Sequence, residues 1–342
     1  MSRPRLRLIH GPTPIVRRPA LDALTGVELW IKRDDAIAGA EAGNKLRKLE
    51  MLLGDAVAQG KRAVVTCGGL QSNHARATAI VCAELGLRAE LLLRVPDPEA
   101  ARQTPPPATG NLLLDRLVGA GIQWVSPDEY RQRVGLLEQA ARRLEDDGLP
   151  AYIVPEGGSN GLGALGYFEA MREVREQMDL GLTAPGPFDV VAHACGSGGT
   201  AAGVLLGAEA FAIAREVRAF AVCDDAPTFE RVIGQIVTEA RAHLAGEAPS
   251  GDHVRLVVDD SAKGPAYAVQ SDDQRAFLVE VARRSGLVLD PVYTGKALYG
   301  VAQAVSRGAI PRGARVLFIH TGGLPGLLAQ ADELAPALGR VR

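Results

Sequence analysis

Residues 43–50 read Gly-Asn-Lys-Leu-Arg-Lys-Leu-Glu, which sets a lysine at the start of an expected helix. Gly43 permits a sharp turn at little steric cost, and Asn44 is a good N-cap. Leu46, Leu49, Leu52, Leu53 and Ala56 recur as a buried helical stripe that ends near Gly60. Lys45 then falls in the first turn, where orphan N–H groups and the positive end of the helix dipole point outward. That field, and a second ammonium at Lys48 one turn away, both disfavour a charged Lys45. A lysine with a lowered pKa works as a base or as an amine that forms a Schiff base. The same spacing also fits two ordinary lysines on a solvated helix face.

Two further stretches have the form strand, glycine turn, helix. Gly68-Gly69-Leu70-Gln71-Ser72-Asn73-His74 would aim helix N–H groups at an anion such as an amino-acid carboxylate, or be a plain tight turn capped by Ser72. Cys195-Gly196-Ser197-Gly198-Gly199-Thr200 adds two hydroxyls to three glycines and suits a phosphate at a helix N-terminus. After the last expected strand, His320-Thr321-Gly322-Gly323 would let backbone and the Thr321 hydroxyl approach the edge of a bound ring, or form a simple left-handed turn. Gly161-Leu162-Gly163-Ala164-Leu165-Gly166 matches a dinucleotide-binding fingerprint. Six residues separate it from the preceding strand, however, and no acidic residue closes a second strand about two dozen residues on. Close approach of a helix to a sheet explains these glycines better. Tyr293 follows Asp290-Pro291-Val292 just before a helix, where a lone tyrosine is usually packing.

These residues must be held by an α/β scaffold. Strands are expected at 27–32, 62–67, 88–93, 122–125, 151–154, 188–194, 217–222, 254–258 and 315–320. Helices are expected at 72–85, 111–118, 162–178, 200–214, 227–245, 271–286 and 295–307. One more long helix is capped by Ser126, carries Pro127 in its first turn and stops at Gly148. Alternation of this kind implies right-handed crossovers and parallel sheets. The 342 residues suggest two domains at about 150 residues each. The proline-rich stretch 104–109 reads as a surface loop.

Composition narrows the function. A net charge of −2 with no long basic run gives no electrostatic support for nucleic-acid or anionic-membrane binding. Cys67, Cys82, Cys195 and Cys223 are far apart, without metal-ligand spacing or disulfide density, as expected of a reducing compartment. The amino-terminal stretch is basic but lacks a long apolar segment. No run of about 18 apolar residues spans a membrane. The cytoplasm is the expected location, and no metal is expected.

In order along the chain, these segments resemble one family. The run at 43–50 looks like the cofactor-lysine segment of the D-cysteine desulfhydrases and 1-aminocyclopropane-1-carboxylate deaminases. These are pyridoxal-phosphate (PLP) enzymes of the tryptophan synthase β superfamily. The likeness extends from Pro12-Thr13-Pro14 and Ile31-Lys32-Arg33-Asp34-Asp35, through Gly157-Gly158-Ser159-Asn160 and the glycines that follow, to His320-Thr321-Gly322-Gly323. It implies two open parallel-sheet α/β domains. Residues 1–47 and 163–342 would form a large PLP-binding domain, and 48–162 a small inserted one.

The resemblance also implies roles. Lys45 carries PLP and, once freed, acts as the base, with Lys48 among the cofactor contacts. Asn73 hydrogen-bonds the cofactor's phenolic oxygen, and Ser72 and His74 help hold the substrate carboxylate. Gly196, Ser197, Gly198, Gly199 and Thr200 take the phosphate. Tyr293 and, on a looser match, Tyr267 stand by the substrate. Thr294 lies near the ring nitrogen and Thr321 near the ring. Ser72, Tyr293 and Tyr267 join Lys45 as expected catalytic residues. The family places a glutamate at the position of Thr294 in its deaminases. A hydroxyl there makes the ring a shallower electron sink, which suits β-elimination better than cyclopropane opening. The implied activity is conversion of D-cysteine to pyruvate, hydrogen sulfide and ammonia by a homodimer acting on a small amino acid. The alternatives are the deaminase, disfavoured by Thr294 and His74, and a related lyase on cysteate or β-chloroalanine. From another class, a nucleotide-dependent oxidoreductase or binder would use residues 161–166.

Overall fold

The computed structural model describes residues 4–339 apart from 245, 247 and 250–252. The first residues of the basic amino-terminal stretch and residue 245, the expected end of the helix at 227–245, lie outside the described residues.

The chain opens with β1 (Ile15–Arg17), α1 (Asp22–Thr25), β2 (Glu28–Lys32) and α2 (Lys45–Ala58). It continues with β3 (Ala63–Gly69), α3 (Asn73–Glu84), β4 (Arg88–Arg94), α4 (Pro98–Gln103), α5 (Gly110–Leu117) and β5 (Gly121–Val125). Next come α6 (Pro127–Arg131), α7 (Arg133–Asp146), β6 (Ala151–Ile153) and α8 (Gly161–Asp179). Then follow β7 (Phe188–Cys195), α9 (Gly199–Ala210), β8 (Ala214–Ala221), α10 (Ala226–Leu244) and β9 (Arg255–Asp259). The last elements are α11 (Asp272–Ser285), α12 (Thr294–Ser306), β10 (Arg315–Ile319), α13 (Leu324–Leu328) and α14 (Ala331–Leu338).

Two sheets result. One has six strands in the order β1-β2-β10-β7-β8-β9, the other four in the order β5-β4-β3-β6. Every pairing is parallel except β1 with β2, where Val16 faces Ile31. Both sheets carry helices, and their strands are accordingly near-continuous apolar runs, such as 63–67 and 190–194. Pairing of β10 with both β2 and β7 brings the two ends of the chain into the larger sheet.

Two expectations need correction. The helix begun by Ser126 is two helices, α6 and α7, because the chain leaves helical geometry at Gln132 (φ −100°, ψ 24°). The helix expected over 200–214 stops at Ala210, where Ala212 takes a positive φ of 51° and turns the chain into β8.

Candidate active site

Four helices begin around one cavity. It is lined by Asn44 and Lys45 at the start of α2, Asn73 at the start of α3, Gly198 and Thr200 at the start of α9, and Tyr293 before α12. Gly196, Ser197 and Thr321 complete its wall. An outer cleft shares Lys45, Gly196, Ser197 and Tyr293 with it, and adds Ser72, His74, Arg94 and Tyr267. The cavity sits at the carboxyl ends of β3, β7 and β10, where open parallel sheets bind their ligands.

Lys45 is held at this point by a buried ionic frame. Arg47, two residues on, grips Asp34 through Nε (2.9 Å) and a second nitrogen (2.8 Å), and also reaches Glu173 on α8 (3.1 Å). Asp34 accepts hydrogen bonds from Tyr167 (2.7 Å) and Thr13 (2.9 Å) as well. Lys32 donates to Glu173 and to the Thr13 carbonyl. Gly43 takes φ +124°, and the Asn44 N–H donates to the Thr321 carbonyl (3.1 Å). Asn44 does not cap α2 with its side chain, contrary to expectation. Its backbone is already helical, and its amide instead donates to the Thr200 hydroxyl (3.2 Å), tying the starts of α2 and α9 together.

The chain has six lysines. Lys32, Lys48, Lys61, Lys263 and Lys296 each make an ion pair or hydrogen bond. Among the described residues, Lys45 alone makes none. Burial pushes its ammonium down to about 8. The lowered pKa matches the sequence-based expectation, but desolvation is the leading cause rather than Lys48 or the helix dipole.

Lys48 is about 1% exposed and donates to the Gly157 carbonyl (3.0 Å) and the Ser159 hydroxyl (3.1 Å). Burial, and then the charge on Lys45, hold it well below the usual lysine range. Ser159 and Ser197 share a 2.8 Å hydrogen bond, and Gly199 N–H donates to Ser159 (3.2 Å). A Cβ on Gly199 would stand 2.9 Å from Lys48 Nζ and 2.7 Å from Ser159 Oγ. The first turn of α9 thus has no room for a side chain and faces a cation and two hydroxyls, which fits a phosphate. Lys48 and Gly199 stand behind this cradle, whereas Gly196, Ser197, Gly198 and Thr200 line it.

On α3, Ser72 accepts from the Ala75 N–H (3.2 Å) as N-cap and lines the outer cleft. Asn73 Oδ1 accepts from Asn111 (3.0 Å), which leaves the Asn73 NH₂ to donate into the cavity. Asn111 is held in turn by Arg76 (3.0 Å), which also binds the Ala40 and Ala42 carbonyls just before Gly43. Arg76 and Asn111 therefore link the two segments that present Lys45 and Asn73. Neither stood out in the sequence, because nothing in local spacing pairs residues 35 positions apart.

His74 is buried and lies well below the usual histidine range, chiefly through desolvation, so its ring is neutral. The Thr66 hydroxyl donates to Val154 (2.8 Å), so the His74 Nε2–H donates to Thr66 (2.8 Å). No N–H remains to hold a carboxylate, and the geometry does not support that role for His74. Tyr293 and Tyr267 meet through their hydroxyls (2.8 Å), and burial raises both above the usual tyrosine range. Lys296 fastens the loop that carries Tyr267, donating to the Lys263 (2.6 Å) and Ala266 (2.9 Å) carbonyls. Thr294 lies outside the lining of the cavity. It is fully buried, and its hydroxyl donates to Asp290 (2.6 Å), which also accepts three N–H groups at the start of α12.

The fingerprint at 161–166 is filled by protein. A Cβ on Gly166 would stand 2.0 Å from the Arg47 carbonyl, and one on Gly161 2.5 Å from Glu239. These glycines let α8 pack on the helices α2 and α10. The contact is helix on helix rather than helix on sheet as expected, and it leaves no place for a dinucleotide. Among the described residues no cluster of His, Cys, Asp or Glu could hold a metal, and no helix is long and apolar enough to cross a membrane.

Residues 6–322 match the family model described as pyridoxal-phosphate dependent enzyme. The chain belongs to this family. It is 41% identical to the mitochondrial bifunctional D-cysteine desulfhydrase/1-aminocyclopropane-1-carboxylate deaminase of Arabidopsis thaliana, over 97% of this chain and 81% of that protein. It is 35% identical to the D-cysteine desulfhydrase of Klebsiella pneumoniae over 97% of both. The crystal structure of an ACC deaminase homologue superposes with a TM-score of 0.86 at 33% identity, covering 98% of this chain and 97% of that one. The L-serine ammonia-lyase of Rhizomucor miehei shares the fold, with a TM-score of 0.64 at 18% identity over 96% and 98%. The protein is thus a PLP-dependent lyase of the D-cysteine desulfhydrase/ACC deaminase group, and its α9 cradle fits the cofactor's phosphate.

Proposed function

We propose that this PLP enzyme is a D-cysteine desulfhydrase and that Lys45 is its cofactor lysine. The observation that carries the assignment is the one lysine without a protein partner among the described residues, which lines a cavity where four helices begin. Bound there, PLP supplies an electron sink for the negative charge left at the substrate's α-carbon. The chain's own groups do the rest. Gly196, Ser197, Gly198, Gly199 and Thr200, backed by Lys48, bind the phosphate. The Asn73 amide, oriented by Asn111, donates to the ring oxygen, and Thr321 borders the ring. The α3 N-terminus and the Ser72 hydroxyl hold the substrate carboxylate. Lys45, with its depressed pKa, takes the α-proton as a neutral amine. The Tyr293–Tyr267 pair holds a shared proton beside it. Thr294 acts indirectly, by fixing the turn that carries Tyr293, and leaves no carboxylate at residue 294.

The names of both relatives and the absence of that carboxylate support elimination from D-cysteine. Purified protein supplied with PLP should release sulfide and pyruvate from D-cysteine. L-cysteine and 1-aminocyclopropane-1-carboxylate should give little product. Release of 2-oxobutanoate from the cyclopropane amino acid without sulfide from D-cysteine would instead make it the deaminase. Product from cysteate or β-chloroalanine alone would point to a lyase for another leaving group.

Residues 1–47 with 163–342, and 48–162, are proposed as the two domains, supported by the separate sheets they build. A homodimer is supported by the family and by exposed Leu113 and Leu117 on α5 beside Leu324 and Leu328 on α13. Light scattering of the purified protein would test it. Four free cysteines support a cytoplasmic setting.

A further inference from the structure

Arg94 ends β4, paired in register with Gly69 at the glycine turn before α3. Its guanidinium lies over the rings of Tyr130 and Tyr267, 5.0 and 5.6 Å from their centroids. It lines the outer cleft together with Lys45, Ser72 and Tyr293. Among the described residues it makes no hydrogen bond and no ion pair. Apart from Lys45, the other charges of the cleft are engaged. Arg133 pairs with Glu156 (3.0 Å), which also accepts from Tyr130 (2.7 Å). Arg131 pairs with Asp128 (3.1 Å), and Asp224 accepts from the Cys223 thiol (3.4 Å). Among the described residues, Arg94 is therefore the uncommitted cation of the cleft besides Lys45, which the cofactor would take. Two aromatic faces hold its plane, and its N–H edge stays available to an anion.

We propose that Arg94 is a specificity-determining residue that binds negative charge on the substrate's β-substituent. The inference rests on the lyase function proposed above. In α,β-elimination the base takes the α-proton, and the C–H electrons form the Cα=Cβ bond. The Cβ–S pair departs with sulfur as a thiolate, which later takes a proton from water. Arg94 stays protonated throughout and offers only N–H donors. The α-carboxylate is already provided for by the α3 N-terminus and Ser72. The charge left to be met is the one on the leaving atom. A thiolate acquires that charge as the bond breaks, and a sulfonate carries it from the start. A chloride, a far weaker base, needs little help.

The test compares the wild-type holoenzyme with Arg94→Gln and Arg94→Lys by two readouts. In calorimetry, 3-sulfopropanoate, which lacks an amine and cannot react, should bind the wild type more tightly than propanoate. Arg94→Gln should erase that advantage and Arg94→Lys keep part of it. In turnover, Arg94→Gln should lower kcat/KM for D-cysteine by about 30-fold, mostly in kcat, and for β-chloro-D-alanine by no more than about threefold. Equal losses on the two amino acids, or an unchanged preference for 3-sulfopropanoate in Arg94→Gln, would overturn the assignment. If the wild type turned over neither amino acid, the lyase function would fail, while the binding comparison would still decide what Arg94 recognises.

Discussion

The runs at 161–166 and 195–200 look alike in sequence, each rich in glycine and opening a helix, yet one packs against protein and the other lines a cavity. At Gly166 and Gly161 the space of the missing Cβ is occupied by the backbone of α2 and by α10. At Gly199 it is closed by Ser159 and the Lys48 ammonium, and the turn beside it lines a cavity. Glycine alone therefore signals close approach. A ligand site also needs a charge of the right sign behind the turn and a partner that is not the protein itself.

Substitutions can break this contrast. Gly166→Ala should have the largest effect. Its methyl meets the Arg47 carbonyl and should cost about 3 kcal/mol of stability, read by denaturant unfolding. The fraction that folds should bind PLP as the wild type does. Lys48→Gln keeps a donor but removes the charge, and should weaken PLP binding about 30-fold while leaving the affinity for unphosphorylated pyridoxal within about twofold. Equal losses for both ligands would place Lys48 elsewhere than at the phosphate. Gly199→Ala should also lose stability, because its methyl meets Ser159 and Lys48, and its folded fraction should lose about tenfold in PLP affinity. Unchanged PLP affinity in that fraction would make this turn a packing element like the other.

The smallest effect concerns the frame behind Asn73. Asp115 on α5 is fully buried, and neither of its carboxylate oxygens has a partner among the described residues. Burial raises its pKa to about 7. A carboxyl raised on folding contributes stability that is complete below its unfolded pKa near 3.8 and is lost as pH climbs through about 7. Wild-type Tm should therefore fall between about pH 4 and pH 7. Asp115→Asn should flatten that fall by roughly 1 kcal/mol, a few degrees in Tm.

Much of this was readable in advance because it is local. The start of α2 at Lys45, the Ser72 cap and the α9 cradle follow from short spacings, and the parallel sheets from the alternation of elements. What escaped was long-range or polar. The Arg47–Asp34–Glu173 frame joins residues up to 139 positions apart (173 − 34). The Arg76–Asn111–Asn73 chain and the hold of Lys296 on the Tyr267 loop have no periodic signature. Asn44 and His74 have side-chain partners across the fold, Thr200 and Thr66, that local propensity does not register.

The most direct test is to reduce the PLP-loaded protein with borohydride and map the modified lysine by peptide mass spectrometry. The phosphopyridoxyl group should sit on Lys45 alone, with Lys48 and Lys296 unmodified. Label on either of those lysines, or no stable label after reduction, would contradict the assignment of Lys45 and with it the proposed chemistry.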